Sequence, residues 1–336
     1  MQIRLAETAG FCFGVERAVA LAEQTARDCK NAVTLGPIIH NRHVVARFEL
    51  LGLREISAAD EAQPGQTVVI RAHGIPVGEQ RTLSARGAVT VDATCPFVKK
   101  IHVIAQKAER DGRILLIIGT PTHPEIIAIA SYSSDAHVFQ SAEALETWLT
   151  ERPERRDLPF CLVSQTTGTQ KLWESCREIA KKVCTNCEIF DTICRATEMR
   201  QEEAAFLSKS CDAMVVVGDA RSSNTGRLAM ICKENCPKVV LVDHADELET
   251  SVMMYYHPEL VNLAEAGSGA SKPFAARMLN EKVAWVPRDW RRVSQDTGIG
   301  NPAKASPGKG RRFAEAVAGR FAELFCELVR GPVYRD

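Results

Sequence analysis

The stretch ILLIIGTPTHPE, residues 114–125, decides the fold. Its first five residues, Ile114 to Ile118, offer no polar side chain to solvent, so a strand here must be covered on both faces. The run breaks at Gly119, turns through Pro121, and presents His123 just before Pro124 and Glu125 open a helix. A strand buried on both faces and feeding a helix belongs to a parallel sheet with crossover helices. In such sheets ligands gather outside the carboxyl ends of the strands. The same event recurs on either side. VTLGPIIHN (33–41) leads from a strand to His40, TVVIRAHG (67–74) to His73, and AMVVVGDARSSN (213–224) to Ser222, Ser223 and Asn224.

Extended along the chain, the apolar pattern predicts strands at 2–6, 32–35, 67–71, 89–92, 114–118, 137–139, 160–164, 188–190, 213–217 and 239–242. Helices are predicted at 15–30, 43–51, 77–86, 96–111, 125–132, 142–149, 170–183, 196–210, 225–235 and 245–250. The fold class is therefore α/β: three similar lobes with mostly parallel sheets presenting their loops to a shared centre. The expected boundaries are 1–95, 96–194 and 195–284, followed by a linker and irregular tail at 285–336. RDWRRVSQDTGIGNPAKASPGKGRR (288–312) has a linker's composition. Its GIGNPA follows no strand, and Pro302 stops the helix that a dinucleotide fingerprint needs. The last 24 residues read as a short amphipathic helix with a strand-like end.

Composition narrows the partners. Forty-two Lys and Arg balance 42 Asp and Glu for a formal net charge of +0, which leaves no basic footprint for nucleic acid. No apolar run approaches the roughly 20 residues of a membrane span, and the N-terminus has no signal-peptide stretch. The expectation is a cytoplasmic protein with no membrane partner. In that reducing compartment 12 cysteines call for an explanation other than disulfides.

Position sorts them. Cys12 in GFCFGV, Cys95 in VDATCPFV and Cys194 in IFDTICRATEMRQEE each stand where a helix begins, and helix N-termini favour thiolates. Three converging thiolates suit a zinc site or an iron–sulfur cluster, while each alone also reads as a small buried hydrophobe. Cys184 with Cys187, and Cys232 with Cys236, have zinc-like spacing, and the four together are a candidate structural site. A cluster of His40, His73 and His123 suits a phosphate or diphosphate, to which Ser222, Ser223 and Asn224 add helix-start donors. Glu125 beside a metal centre is a candidate proton donor or relay, and Thr166 and Thr167 form a hydroxyl pair at another strand end. The plainer readings are N-caps, core histidines and a first-turn glutamate.

GFCFGVERAV, GPIIHN, RAHG, DATCP, THPE, SQTT, DTIC.AT..RQ, SSNT.RL and GASKP together resemble the 4-hydroxy-3-methylbut-2-enyl diphosphate reductase (LytB/IspH) family over about residues 1–275. The resemblance implies three α/β lobes around a [4Fe-4S] cluster held by Cys12, Cys95 and Cys194, with one open iron. It implies diphosphate binding by His40, His73, His123, Thr167, Ser222, Ser223, Asn224 and Ser271. Glu125 then delivers a proton with help from Thr166, and ferredoxin or flavodoxin supplies electrons. The implied reaction converts (E)-4-hydroxy-3-methylbut-2-enyl diphosphate to isopentenyl and dimethylallyl diphosphates in the methylerythritol phosphate route to isoprenoids. The stretch AEAGSGASKP around Ser271 departs from the family pattern. FAELFCELVRGPVYRD (321–336) faintly resembles the lead-in to a ribosomal S1-type barrel, as in fused relatives. The competing readings are a quinolinate-synthase-like iron–sulfur dehydratase, a zinc-binding or redox-sensing module without catalysis, and an RNA-binding protein suggested by the basic linker.

Overall fold

The computed structural model of the chain describes residues 4–242, 245–265 and 304–330. The chain separates into two compact units, one of residues 7–203 and one of 1–6 with 204–336.

The 7–203 unit contains two four-stranded parallel sheets. The first is built from β1 (Val33–Leu35), β2 (Arg54–Ile56), β3 (Thr67–Ile70) and β4 (Val89–Asp92), in the order β2-β1-β3-β4. The second uses β5 (Ile114–Ile118), β6 (Ala136–Phe139), β7 (Phe160–Ser164) and β8 (Cys187–Ile189), in the order β6-β5-β7-β8. The two orders are the same topology. In each, the direction of winding reverses between the first strand and the third, which opens a ligand crevice at their carboxyl ends.

The apolar run at Ile114 behaves as its composition requires. Leu116 and Ile118 pack on one face against Phe160, Leu162 and Trp173. Leu115 and Ile117 pack on the other against Ile101, Cys161 and Val163. Each such side chain contributes roughly 1.5–3 kcal/mol by leaving water. In the first sheet Val33, Leu35, Val68 and Ile70 face Leu83, while Val69 faces Ala18, Ala22 and Phe48 on the opposite side.

Helices ahead of and between the strands provide the cover. In the first sheet these are α1 (Phe13–Asp28), α2 (Arg42–Leu50) and α3 (Val77–Ala85). In the second they are α4 (Pro96–Arg110), α5 (Pro124–Ala130), α6 (Ala142–Thr150) and α7 (Gln170–Val183). Helix α8 (Arg195–Ser210) continues into the second unit. There β9 (Met214–Val217) and β10 (Val239–Val242) pair in parallel, with α9 (Ser223–Asn235) between them in sequence. Val216, Ala229, Cys232, Cys236 and Val239 form this unit's apolar core. Helix α10 (Ala245–Tyr256) packs against α11 (Pro307–Arg330).

Three expectations need correction. Residues 4–6 are irregular rather than strand, and residues 1–3 lie outside the described residues. Strand β2 was not anticipated: Arg54 and Glu55 are exposed on a sheet edge, so no apolar run announces it. The tail helix is 24 residues long and begins at Pro307, inside the stretch read as linker. Proline suits a helix start because its missing N–H would be unpaired there.

Candidate active site

Seven turns of the 7–203 unit carry the predicted residues. Four follow the first and third strands of the two sheets, and three carry cysteines. His40 lies beyond β1, His73 beyond β3 and His123 beyond β5. Gly36, at φ +68, makes the first turn out of β1 in a conformation that glycine tolerates.

The three imidazoles form a triangle. Ring centroids stand 4.8 Å apart for His40–His73, 5.2 Å for His73–His123 and 6.0 Å for His40–His123. One ring nitrogen from each can be chosen so that all lie within 4.8 Å of one another. His123 is the N-cap of α5, and its Nδ1 accepts the Glu125 N–H at 3.2 Å. That bond leaves the proton of the neutral ring on Nε2 as a donor. His73 is pushed well below the usual histidine pKa by burial first, then by His40, His123 and Arg71. Its Nδ1 is buried without a hydrogen-bond partner. Three imidazoles this close repel one another when protonated, and an anion between them relieves that repulsion.

Glu125 is 1 % exposed. Its Oε1 accepts the Thr166 N–H at 2.6 Å, and its Oε2 accepts the Thr166 hydroxyl at 2.8 Å. Thr166 therefore grips both carboxyl oxygens. Gln165, fully buried, ties the two turns together: its Oε1 accepts from Thr120 N–H, and its Nε2 donates to the Thr167 hydroxyl at 2.9 Å.

The cysteines stand at three helix starts. Cys12 is the N-cap of α1 and Cys95 of α4. The Cys194 carbonyl accepts the amides of Thr197 and Glu198 in the first turn of α8. Cys12 and Cys194 both raise the pKa of Cys95, after the larger effect of burial, while the amides of Phe97 and Val98 lower it. Cys12 and Cys194 are thus both within electrostatic reach of Cys95. Gly14 is required nearby, because a Cβ there would collide with the Cys95 sulfur.

Among the described residues, the three histidines are the one set of His, Cys, Asp or Glu side chains drawn tight enough for a single metal ion. Thiolates on one zinc ion lie roughly 4 Å apart. Three thiols at helix N-termini, two of them in electrostatic reach of Cys95 but not crowded to that degree, are a donor set that fits a multinuclear iron–sulfur cluster. Cys184 with Cys187 lies in the 7–203 unit and Cys232 with Cys236 in the other, and neither pair belongs to a single-ion set among the described residues.

Backbone bonds hold these turns in register. Cys95 N–H donates to Ala72 O, next to His73, and Cys194 N–H donates to Thr166 O, both at 2.9 Å. Side chains missed in the sequence reading complete the frame. Arg17 donates to the carbonyls of Asp92 and Thr94, linking α1 to the Cys95 turn. Arg200 donates to Thr8 O and Gly10 O, linking α8 to the Cys12 turn. Gln201 donates to Gly168 O, beyond Thr166 and Thr167. The strings GFCFGVERAV and ATEMRQ contained these three residues, but their roles depend on contacts remote in sequence.

Ser222, Ser223 and Asn224 belong to the second unit. The Ser222 hydroxyl caps α9 by accepting Thr225 N–H. Asn224 Oδ1 is buried without a partner. Ser271 lies outside the described residues.

The LytB protein family model matches residues 3–278 of the chain. The chain is 38% identical over 282 residues to 4-hydroxy-3-methylbut-2-enyl diphosphate reductase of Caldanaerobacter subterraneus, covering 81% of this chain and 93% of that protein. It is 41% identical over 254 residues to the reductase of that name from Nitratiruptor sp., covering 74% and 87%. A solved structure titled as (E)-4-hydroxy-3-methyl-but-2-enyl diphosphate reductase, the terminal enzyme of the non-mevalonate pathway, matches with TM-score 0.55 and 36% identity, covering 73% of this chain and 87% of that one. The E-1-hydroxy-2-methyl-but-2-enyl-4-diphosphate reductase of Plasmodium falciparum matches with TM-score 0.66 and 25% identity, covering 73% and 77%.

Proposed function

The chain belongs to the LytB family, and on that premise we propose how its own residues carry out the family's reaction. It is an iron–sulfur oxidoreductase of the methylerythritol phosphate route to isoprenoids. It reduces (E)-4-hydroxy-3-methylbut-2-enyl diphosphate to isopentenyl and dimethylallyl diphosphates. Two electrons and two protons remove the allylic hydroxyl as water. The quinolinate-synthase-like, zinc-module and RNA-binding alternatives give way to this assignment.

Cys12, Cys95 and Cys194 would hold a [4Fe-4S] cluster; their helix-start positions and the effect of Cys12 and Cys194 on Cys95 support this. When bound, the cluster supplies the electrons and a Lewis-acid iron for the substrate hydroxyl. His40, His73 and His123 grip the diphosphate. His123 donates from Nε2, and His73 gains a proton as the anion arrives. Ser222, Ser223, Asn224 and Ser271 add neutral donors, and Thr167 adds a hydroxyl positioned by Gln165. Glu125 delivers the proton that turns the departing hydroxyl into water. Thr166 fixes its carboxyl group through two hydrogen bonds, so the proton is presented from one place. Ferredoxin or flavodoxin supplies the electrons, and the enzyme works in the cytoplasm.

One observation carries the reading most directly. Thr166 gives both its polar hydrogens to Glu125 while its carbonyl receives the Cys194 N–H. A carboxyl group and a cluster thiolate are thereby tied to one residue. The test is anaerobic reconstitution, an absorbance spectrum and dithionite-driven turnover. Wild type should show the broad band near ~400 nm of an iron–sulfur centre and should turn over. Glu125→Gln should keep the band and lose ~10²–10⁴-fold in kcat. Turnover unchanged in Glu125→Gln would remove its assigned role, and a colourless reconstituted protein would remove the cluster's.

A further inference from the structure

His102 stands on α4, seven residues beyond the Cys95 cap. It is 5 % exposed, and its Nε2 is buried without a hydrogen-bond partner. Burial pushes its pKa down to about 4, with Asp92 opposing, so the ring is neutral near pH 7. A buried nitrogen left unpaired costs stability. The ring's use must therefore lie in what it packs against.

One edge lies against the turn that carries His73. A Cβ added to Gly74 would stand 2.6 Å from His102 Cε1 and 3.2 Å from Nε2. Gly74 adopts φ +75, so both its backbone and its neighbour exclude a side chain. Arg71 grips the same turn: its Nε donates to Gly74 O at 3.1 Å, and its carbonyl accepts Gly74 N–H at 3.0 Å. The His102 ring also stacks on Tyr132, with centroids 4.6 Å apart and planes inclined by 30°. Tyr132 lies just past α5, the helix that His123 caps. It is itself tethered, since its hydroxyl accepts from Gln80 of α3 at 2.8 Å. Next to it the Ser131 hydroxyl accepts the N–H of Val77, the first residue of α3, at 3.0 Å. One imidazole thus touches the His73 turn of the first sheet and the end of the His123 helix of the second.

We propose that His102 is a positioning residue for substrate binding, wedged between the His73 turn and the end of α5 so that it sets His73 in its place 5.2 Å from His123. The inference rests on the reading of these two histidines as diphosphate ligands.

The test uses the reconstituted holoenzyme with dithionite as reductant. It reads KM and kcat for (E)-4-hydroxy-3-methylbut-2-enyl diphosphate, and a calorimetric Kd for inorganic diphosphate. His102→Ala should raise KM and Kd, by up to ~10²-fold for a displacement of about an ångström. His102→Gln, which keeps a planar group, should raise them less. In both, kcat and the cluster's absorbance band should stay close to wild type, because the grip on the diphosphate is the same in ground and transition states. His73→Asn should weaken binding, and adding His102→Ala to it should weaken binding no further, because the ring acts through His73. Unchanged KM and Kd in both His102 variants, beside a weakened His73→Asn, overturn the proposal. So does an additive double variant, or a loss of band and kcat at constant KM, which would place the ring's effect on Cys95 instead. If His73→Asn binds as tightly as wild type, the diphosphate reading of His73 falls first, and this inference falls with it.

Discussion

His73 is kept neutral by its surroundings, and that neutrality sets the sign of a binding experiment. Burial disfavours its charged form most, and His40, His123 and Arg71 add to the effect. Below pH 6.5 an ordinary histidine is mostly protonated; this one stays neutral well below that point. A diphosphate entering the triangle places several negative charges beside the ring and raises its pKa again. Where that rise carries the bound-state pKa to the working pH, binding takes up protons, so affinity strengthens as pH falls and weakens as it rises through that pKa. Calorimetric titration with inorganic diphosphate in two buffers of different ionisation enthalpy should report net proton uptake. His73→Asn should bind more weakly and take up fewer protons. Binding without any proton exchange would show that the anion does not meet this ring. The same scale shows what a sequence can disclose. His40, His73 and His123 were legible because each follows a strand that announces itself by its apolar run. Gln165, Arg17 and Arg200 were not, since each acts on a turn tens to hundreds of residues away.

The repeated element explains why the site is assembled as it is. In both four-stranded sheets the histidine lies five residues past the first strand, from Leu35 to His40 and from Ile118 to His123. In both, the cysteine N–H bonds the carbonyl two residues past the third strand, from Ile70 to Ala72 and from Ser164 to Thr166. The pattern of strands and helices was readable because β1, β3, β5 and β7 are buried and uniformly apolar or nearly so. Edge strand β2, with Arg54 and Glu55 exposed, has no such signal and is defined only by its pairing with β1. The repeats differ after the fourth strand, where Cys95 follows β4 by three residues and Cys194 follows β8 by five. Thr192 fills the longer connection. Its buried hydroxyl donates to Ser164 O at 2.6 Å and accepts Ser164 N–H at 2.7 Å. Thr192→Val preserves shape but leaves two buried backbone groups unpaired, each costing about 1–3 kcal/mol. Urea unfolding should show a loss of roughly 2–6 kcal/mol on that basis, together with less iron retained per chain after reconstitution. A variant of wild-type stability would mean that water replaces the hydroxyl.

At the scale of the whole chain, the tail helix is the part that the family match does not reach. The match ends at residue 278, while α11 begins at Pro307 and packs on α10 within the same unit. The first turn of α11 is joined to α10 through Ser306 N–H, which donates to the Ser251 hydroxyl at 3.1 Å, with Ser251 fully buried. Gly310 lies directly against the Ser251 carbonyl, so close that a Cβ at residue 310 would overlap α10 backbone. Backbone cannot swing aside as a flexible side chain can, so the helices must separate to admit even a methyl group. Gly319, on the same helix, is exposed and meets nothing within 4 Å. The two glycines therefore respond oppositely to one substitution. Gly319→Ala should stabilise by about 0.5–1 kcal/mol, since glycine costs a helix interior that much relative to alanine. Gly310→Ala gains the same propensity but loses the close packing, and the packing loss dominates because no neighbouring group can yield. Hydrogen exchange read by peptide separates these effects from global unfolding. In Gly310→Ala, amides of α10 and of the first half of α11 should exchange faster, while β5 and β7 of the other unit stay unchanged. In Gly319→Ala, the same α11 amides should exchange at the wild-type rate or more slowly. If Gly310→Ala leaves α10 protected, the tail helix does not depend on this contact for its seat.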